Sequence, residues 1–113
     1  MHEIKESDWE ILRELLTVAL ERFCRQILSE VKKIDADSTR SFHQKYLDIF
    51  GLIQRRDKEI ARIFNNPRRS KALIQLVEIQ SRDLLSVDEY LRFSQETRNI
   101  IARRLGTETD GGG

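Results

Sequence analysis

Residues 8–34 read DWEILRELLTVALERFCRQILSEVKKI, and their periodicity decides the fold class. Apolar residues recur at Trp9, Leu12, Leu16, Leu20, Phe23, Ile27, Val31 and Ile34, in steps of three and four. Such steps keep one face aligned along a helix and are incompatible with the two-residue alternation of a strand. Asp8 and Glu10 stand at the start of this segment and Lys32 and Lys33 at its end, the polarity that the helix macrodipole favours. Ile11, Leu15 and Val18 lie off the stripe, so the N-terminal half of the helix is apolar on a second side.

Working outward, Asp35 to Arg40 form a polar turn, and a second helix runs from Ser38 or Ser41 to Phe64. Its stripe of Phe42, Tyr46, Ile49, Ile53, Ile60 and Phe64 is interrupted by Gln54-Arg55-Arg56-Asp57-Lys58-Glu59. Arg56 and Asp57 flank the stripe there and read as a polar pair at the core. Gly51 points away from the stripe, where it costs roughly 0.8–1 kcal/mol of helix propensity relative to Ala. Asn65-Asn66-Pro67 breaks the second helix, and Pro67 is placed to open a third that reaches Leu84. Ser86 with Glu89 forms a capping-box signature, so a fourth helix starts at Val87 and runs to Leu105, with Ser94 on its inward face. Residues 1–105 thus form one domain, and 106–113 read as a disordered Gly-rich tail.

Short turns between helices imply antiparallel neighbours, so the expected fold is an all-α, up-down four-helix bundle. Two long helices (about 27 residues, roughly 40 Å) precede two shorter ones (roughly 28 Å). The excess length protrudes at one end and carries Ile27, Val31, Ile34, Phe42 and Tyr46. Uncovered apolar surface on that scale meets a partner. Self-association, most simply as a homodimer, is therefore expected through Ile11, Leu15, Val18, Phe42 and Tyr46.

The third helix alone is charged against its dipole, opening with Pro67-Arg68-Arg69-Ser70-Lys71 and closing near Asp83. Residues 54–104 hold 12 bases and 7 acids, whereas 1–53 hold 8 and 10, within a net charge of +1. The bundle expected here gathers Arg62, Arg68, Arg69, Lys71, Arg103 and Arg104 at one end, beside the acids that open the first helix. Those acids neutralise the cluster, or the cluster receives an anion: an acidic protein, or a nucleic-acid backbone contacted by the Arg55–Lys71 run. The one aromatic within that run, Phe64, belongs to the apolar stripe of the second helix, which leaves none to stack on a nucleobase.

Catalytic chemistry has little to stand on. His43 has no nucleophile or acid at a spacing that builds a triad, and no Glu-x-x-His pair is present for a di-iron site. Neither metal nor cofactor is expected. A small helical enzyme with an anion pocket around Arg56 and Asp57 is the remote alternative. The single Cys24 fits a reducing compartment, no apolar run approaches a membrane span, and residues 1–4 lack the regions of a signal peptide; a cytoplasmic protein is expected. The function expected is binding, by a non-catalytic adaptor or regulator that meets a protein through apolar helix faces and a basic end. A nucleic-acid-binding module is the alternative.

Overall fold

The computed structural model describes residues 4–106, and the expected tail from 107 onward lies outside them. The described chain is all-helical: α1 (Glu6–Asp35), α2 (Phe42–Phe64), a 3₁₀ turn (Arg69–Lys71), α3 (Ala72–Ser81), α4 (Val87–Tyr90) and α5 (Gln95–Leu105). No helix is long and apolar enough to cross a membrane among the described residues. The radius of gyration, 16.9 Å, exceeds the roughly 13 Å of a compact domain this size, and the extents are 50 × 35 × 25 Å. The elongation comes from α1 and α2, a long antiparallel hairpin packed at its base against α3 and α5.

Caps explain where α2 begins. Ser41 is extended, and its hydroxyl accepts from the Gln44 amide. Asp37 caps the preceding turn through Thr39, and Lys45 donates to the Asp35 carbonyl. At the other end Pro67 has no N–H to offer the Ile63 carbonyl, its partner four residues back in a continuing helix. The buried Gln75 side chain supplies the donor instead, at 3.0 Å.

The buried line of α1 is Asp8, Leu12, Leu15, Ala19, Phe23 and Ile27. It is rotated from the expected stripe, because α1 packs on α2 and α3 together. Trp9, Ile11, Leu16 and Leu20 flank the line and close its edges. Leu15, expected at an interface, is 4% exposed and belongs to the core. Ile11 packs against that core half-buried, and Val18 is half-buried.

Two boundaries correct the sequence reading. Pro67 does not open a helix: Arg68 is extended at φ −137°, a 3₁₀ turn follows, and α3 proper starts at Ala72. The Arg68–Lys71 charges therefore precede α3 and never sit in its first turn, so they oppose little macrodipole. The segment from Val87 to Leu105 is also two helices rather than one. Ser94 turns extended, and its hydroxyl accepts from the Thr97 amide, so it caps α5 and has no place on an inward face.

That second break is fixed from a distance by Asp8. Its carboxylate, 1% exposed, accepts from the Ser94 amide (2.9 Å), the Ser94 hydroxyl (2.7 Å) and the Thr97 hydroxyl (2.7 Å). Burial pushes the Asp8 carboxyl up, but the hydrogen bonds from Ser94 and Thr97 outweigh it and hold the group below its ordinary value. A second clamp joins α1 to the α3–α4 turn. Arg22 donates to the Leu84 carbonyl and, with two nitrogens, to Glu89, whose carboxylate also accepts from the Ser86 amide. Arg22 first, then the Ser86 amide, lowers the Glu89 carboxyl to about 2.

Asp8→Ala should cost about 2–3 kcal/mol in chemical denaturation, because it strips the carboxylate from three donors at once. A loss under 1 kcal/mol would show that α5 caps itself. Both depressed carboxyls stabilise the fold above their ordinary values, and that contribution fades as pH falls through the folded ones. The melting temperature should hold from pH 7 to 5 and drop between about pH 4.5 and 2. Glu89→Gln should remove about 1–2 kcal/mol at pH 7 and flatten that drop. An unchanged acid limb in this variant would count against the Arg22 clamp.

Candidate functional site

The surface feature that the core leaves unexplained lies on the distal half of α2. At 100° per residue Phe42, Tyr46, Phe50 and Ile53 fall within one quarter of the helix circumference. They are 87%, 64%, 52% and 42% exposed respectively. Leu52 and Ile63 are buried on a neighbouring face, whereas Phe64, at the base of the helix, is buried on the same side as these exposed residues. The rings of Tyr46 and Phe50 stack at 6.4 Å, and the Lys45 ammonium lies 5.4 Å from the Phe42 ring.

This face runs into a groove between α1 and α2. Its volume is about 220 Å³, and Cys24, Ile27, Leu28, Ile53, Ile60, Arg56 and Asp57 line it. Leu28 on its α1 wall is exposed as well. Together these side chains present roughly 500 Å² of apolar surface, the size of the largest patch on an ordinary monomer and usually a functional one. Its edge is polar: His43 and Asp57 are both exposed, and neither side chain has a hydrogen bond or ion pair among the described residues.

Arg56 and Asp57 do not pair with one another. Arg56 turns to Glu30 of α1 and to Glu59, while Asp57 faces out at the groove. The network continues from Glu59 to Arg82, from Arg82 to Glu78 and from Glu78 to Arg62. It is a balanced, half-exposed belt across α1, α2 and α3. The hydrogen bonds it donates to Glu30 hold the Arg56 guanidinium above its ordinary value. No group of three or more His, Cys, Asp or Glu that could hold a metal is found among the described residues.

The basic residues divide. Arg62 is engaged by Glu78, and Arg69 donates to the Ile4 carbonyl and to Glu6. Arg103 and Arg104 line a separate groove between α3 and α5, with Ser70, Leu73, Ile74 and Ile100. Arg68 and Lys71 are exposed on the turn before α3. Phe42 and Tyr46, expected at an interface, are on the surface; so are Ile53, expected on the core stripe, and Phe50 and Leu28, which the sequence reading leaves out although Phe50 follows Tyr46 at a step of four. Comparison with protein-family models, curated proteins and solved structures finds no match to this chain.

With Arg56, Arg62 and Arg69 taken by acids, the Arg55–Lys71 run presents a broken charge pattern. Labelled single- and double-stranded nucleic acid at about 50 mM salt should remain unbound. A complex whose affinity falls tenfold or more between about 50 and 200 mM salt would make the run a phosphate-contacting surface after all.

Proposed function

We propose that this chain is a non-catalytic interaction module that docks a protein partner on the apolar face of α2 and the adjoining α1–α2 groove. The observation that carries the reading is the exposure of Phe42, Tyr46, Phe50 and Ile53 on one side of one helix. Aromatic side chains of this kind are the usual anchors of protein interfaces, and a charged or polar rim normally surrounds them. Here the rim is His43, Gln54 and Asp57.

The rest of the fold serves as scaffold, an antiparallel helical bundle that holds the hairpin out from its base. Its ion pairs are internal, as the Arg56, Arg62 and Arg69 partners indicate. Arg68, Lys71 and Arg104 form a secondary surface that favours a partner with acidic character. The lone Cys24, half-buried in the groove, agrees with a reducing compartment and a cytoplasmic setting.

A photo-crosslinking amino acid at position 46 tests the reading in cells. Irradiation should give one discrete, saturable adduct of protein mass, and Phe50→Asp should abolish it. The same probe at Val87, an exposed apolar residue on α4, should give none. A smear, or no adduct at position 46, would overturn the docking face.

A further inference from the structure

We propose that the occupant of this face is a second copy of the chain, docked antiparallel so that Phe42 of each copy fills the α1–α2 groove of the other. The inference rests on the docking-face reading above and names its partner.

The geometry points to a twofold axis near Phe50. In an isologous contact between antiparallel helices, residue i of one copy meets j of the other, and i plus j is constant. With Phe50 opposite itself, Phe42 lies beside position 57 or 58 of the second copy. That is where the groove opens, between Ile53, Asp57 and Ile60 on α2 and Cys24 and Leu28 on α1. At about 220 Å³ the groove is of a size to admit one phenyl ring, and Phe42 is the most exposed of the large apolar side chains described. The same register brings His43 to Asp57 of the second copy, so each copy contributes one donor and one acceptor at symmetric points of the rim.

Donor–acceptor pairing and the helix dipole select the antiparallel sense. A parallel pairing sets His43 against His43 and Asp57 against Asp57, and it aligns the α2 dipoles; the antiparallel one opposes both. It also carries the two bodies of α3 to α5 to opposite ends, whereas a parallel pairing crowds them together. Area is sufficient as well. Two copies cover roughly 1,000 Å² of apolar surface, and the His43, Gln54 and Asp57 rims bring the total toward the size of a standard specific interface.

Sedimentation at micromolar to hundred-micromolar concentration should show a reversible monomer–dimer equilibrium. Phe42→Asp should weaken it by roughly thirtyfold or more, as expected for loss of a buried aromatic anchor. The variant keeps its fold, because Phe42 is 87% exposed and an acid in the first turn of α2 suits the dipole. A Phe42→Cys variant, oxidised at a concentration where sedimentation still shows it dimeric, then reads the register. On oxidation by copper–phenanthroline it should join Cys24 of the second copy, giving a covalent dimer whose 42–24 linkage peptide mapping identifies. Within one chain the two positions are too far apart, since Cys24 lies 11 residues along α1 from the Asp35 carbonyl that Lys45 contacts. Adding Cys24→Ser should remove that linkage, and Val87→Cys should form no linkage to Cys24.

A wild type that stays monomeric across the range, a Phe42→Asp variant that still dimerises, or a Phe42→Cys variant that never links to Cys24 would each overturn the proposal. The docking-face reading fails separately. A discrete adduct of another mass at position 46, with a monomeric wild type, removes the second copy but leaves the face; absence of any adduct removes both.

Discussion

The Asp8 carboxylate is enclosed by α1 and α5, and the three donors it accepts come from two residues 86 and 89 positions away in sequence. Taking a carboxylate from water is costly unless its lone pairs are satisfied, and here the Ser94 amide, the Ser94 hydroxyl and the Thr97 hydroxyl satisfy them. The charge also lies at the positive end of α5. One ionised group thereby decides where α5 begins and how it meets α1. Phe93, 1% exposed, and Ile101, fully buried, are delivered to the core on either side of that contact. The Arg22–Glu89 clamp does the corresponding work for the α3–α4 turn, where Leu84 and Leu85 enter the core beside Asp83 at φ 58°.

These long-range polar contacts also mark how far the sequence could be read. The ends of α1 and α2 and the capping box at Ser86 follow from local signals, because caps, prolines and apolar periodicity act within one or two turns. The division between α4 and α5 has a local signal too, a Ser preceding Gln95-Glu96-Thr97, but Ser94 fits a continuous helix equally well by periodicity alone. Only the position of Asp8, set by tertiary packing, makes the cap win. The buried line of α1 was misjudged for a similar reason. With Leu15 and Leu16 adjacent, the sequence offers two overlapping stripes, and the simultaneous contact of α1 with α2 and α3 chooses between them.

The electrostatic clue narrows in the same way. A basic first turn on a helix implies a nearby anion, but Arg69 faces the Ile4 carbonyl and Glu6, and its neighbours lie in an extended segment and a 3₁₀ turn. For Arg69 a counter-charge is in the chain. For the candidate site the reverse holds: Phe42 and Tyr46 stood out because unequal helix lengths imply an uncovered end, and packing then extends that face to Phe50, Ile53 and Leu28.

Local stability does not require these side chains. The distal half of α2 buries Leu52 alone, and its start is fixed by polar contacts: the Ser41 cap, the Arg40–Asp48 ion pair and the Lys45 bond to the Asp35 carbonyl. A helix held that way is served as well by Lys, Glu or Gln at positions 42, 46 and 50, which have better helix propensity than Phe or Tyr and do not invite aggregation. Three aromatics at steps of four, exposed on the segment that reaches farthest from the α3–α5 base, therefore contribute little to the isolated chain. The groove between Cys24, Leu28, Ile53 and Ile60 continues the same apolar surface onto α1.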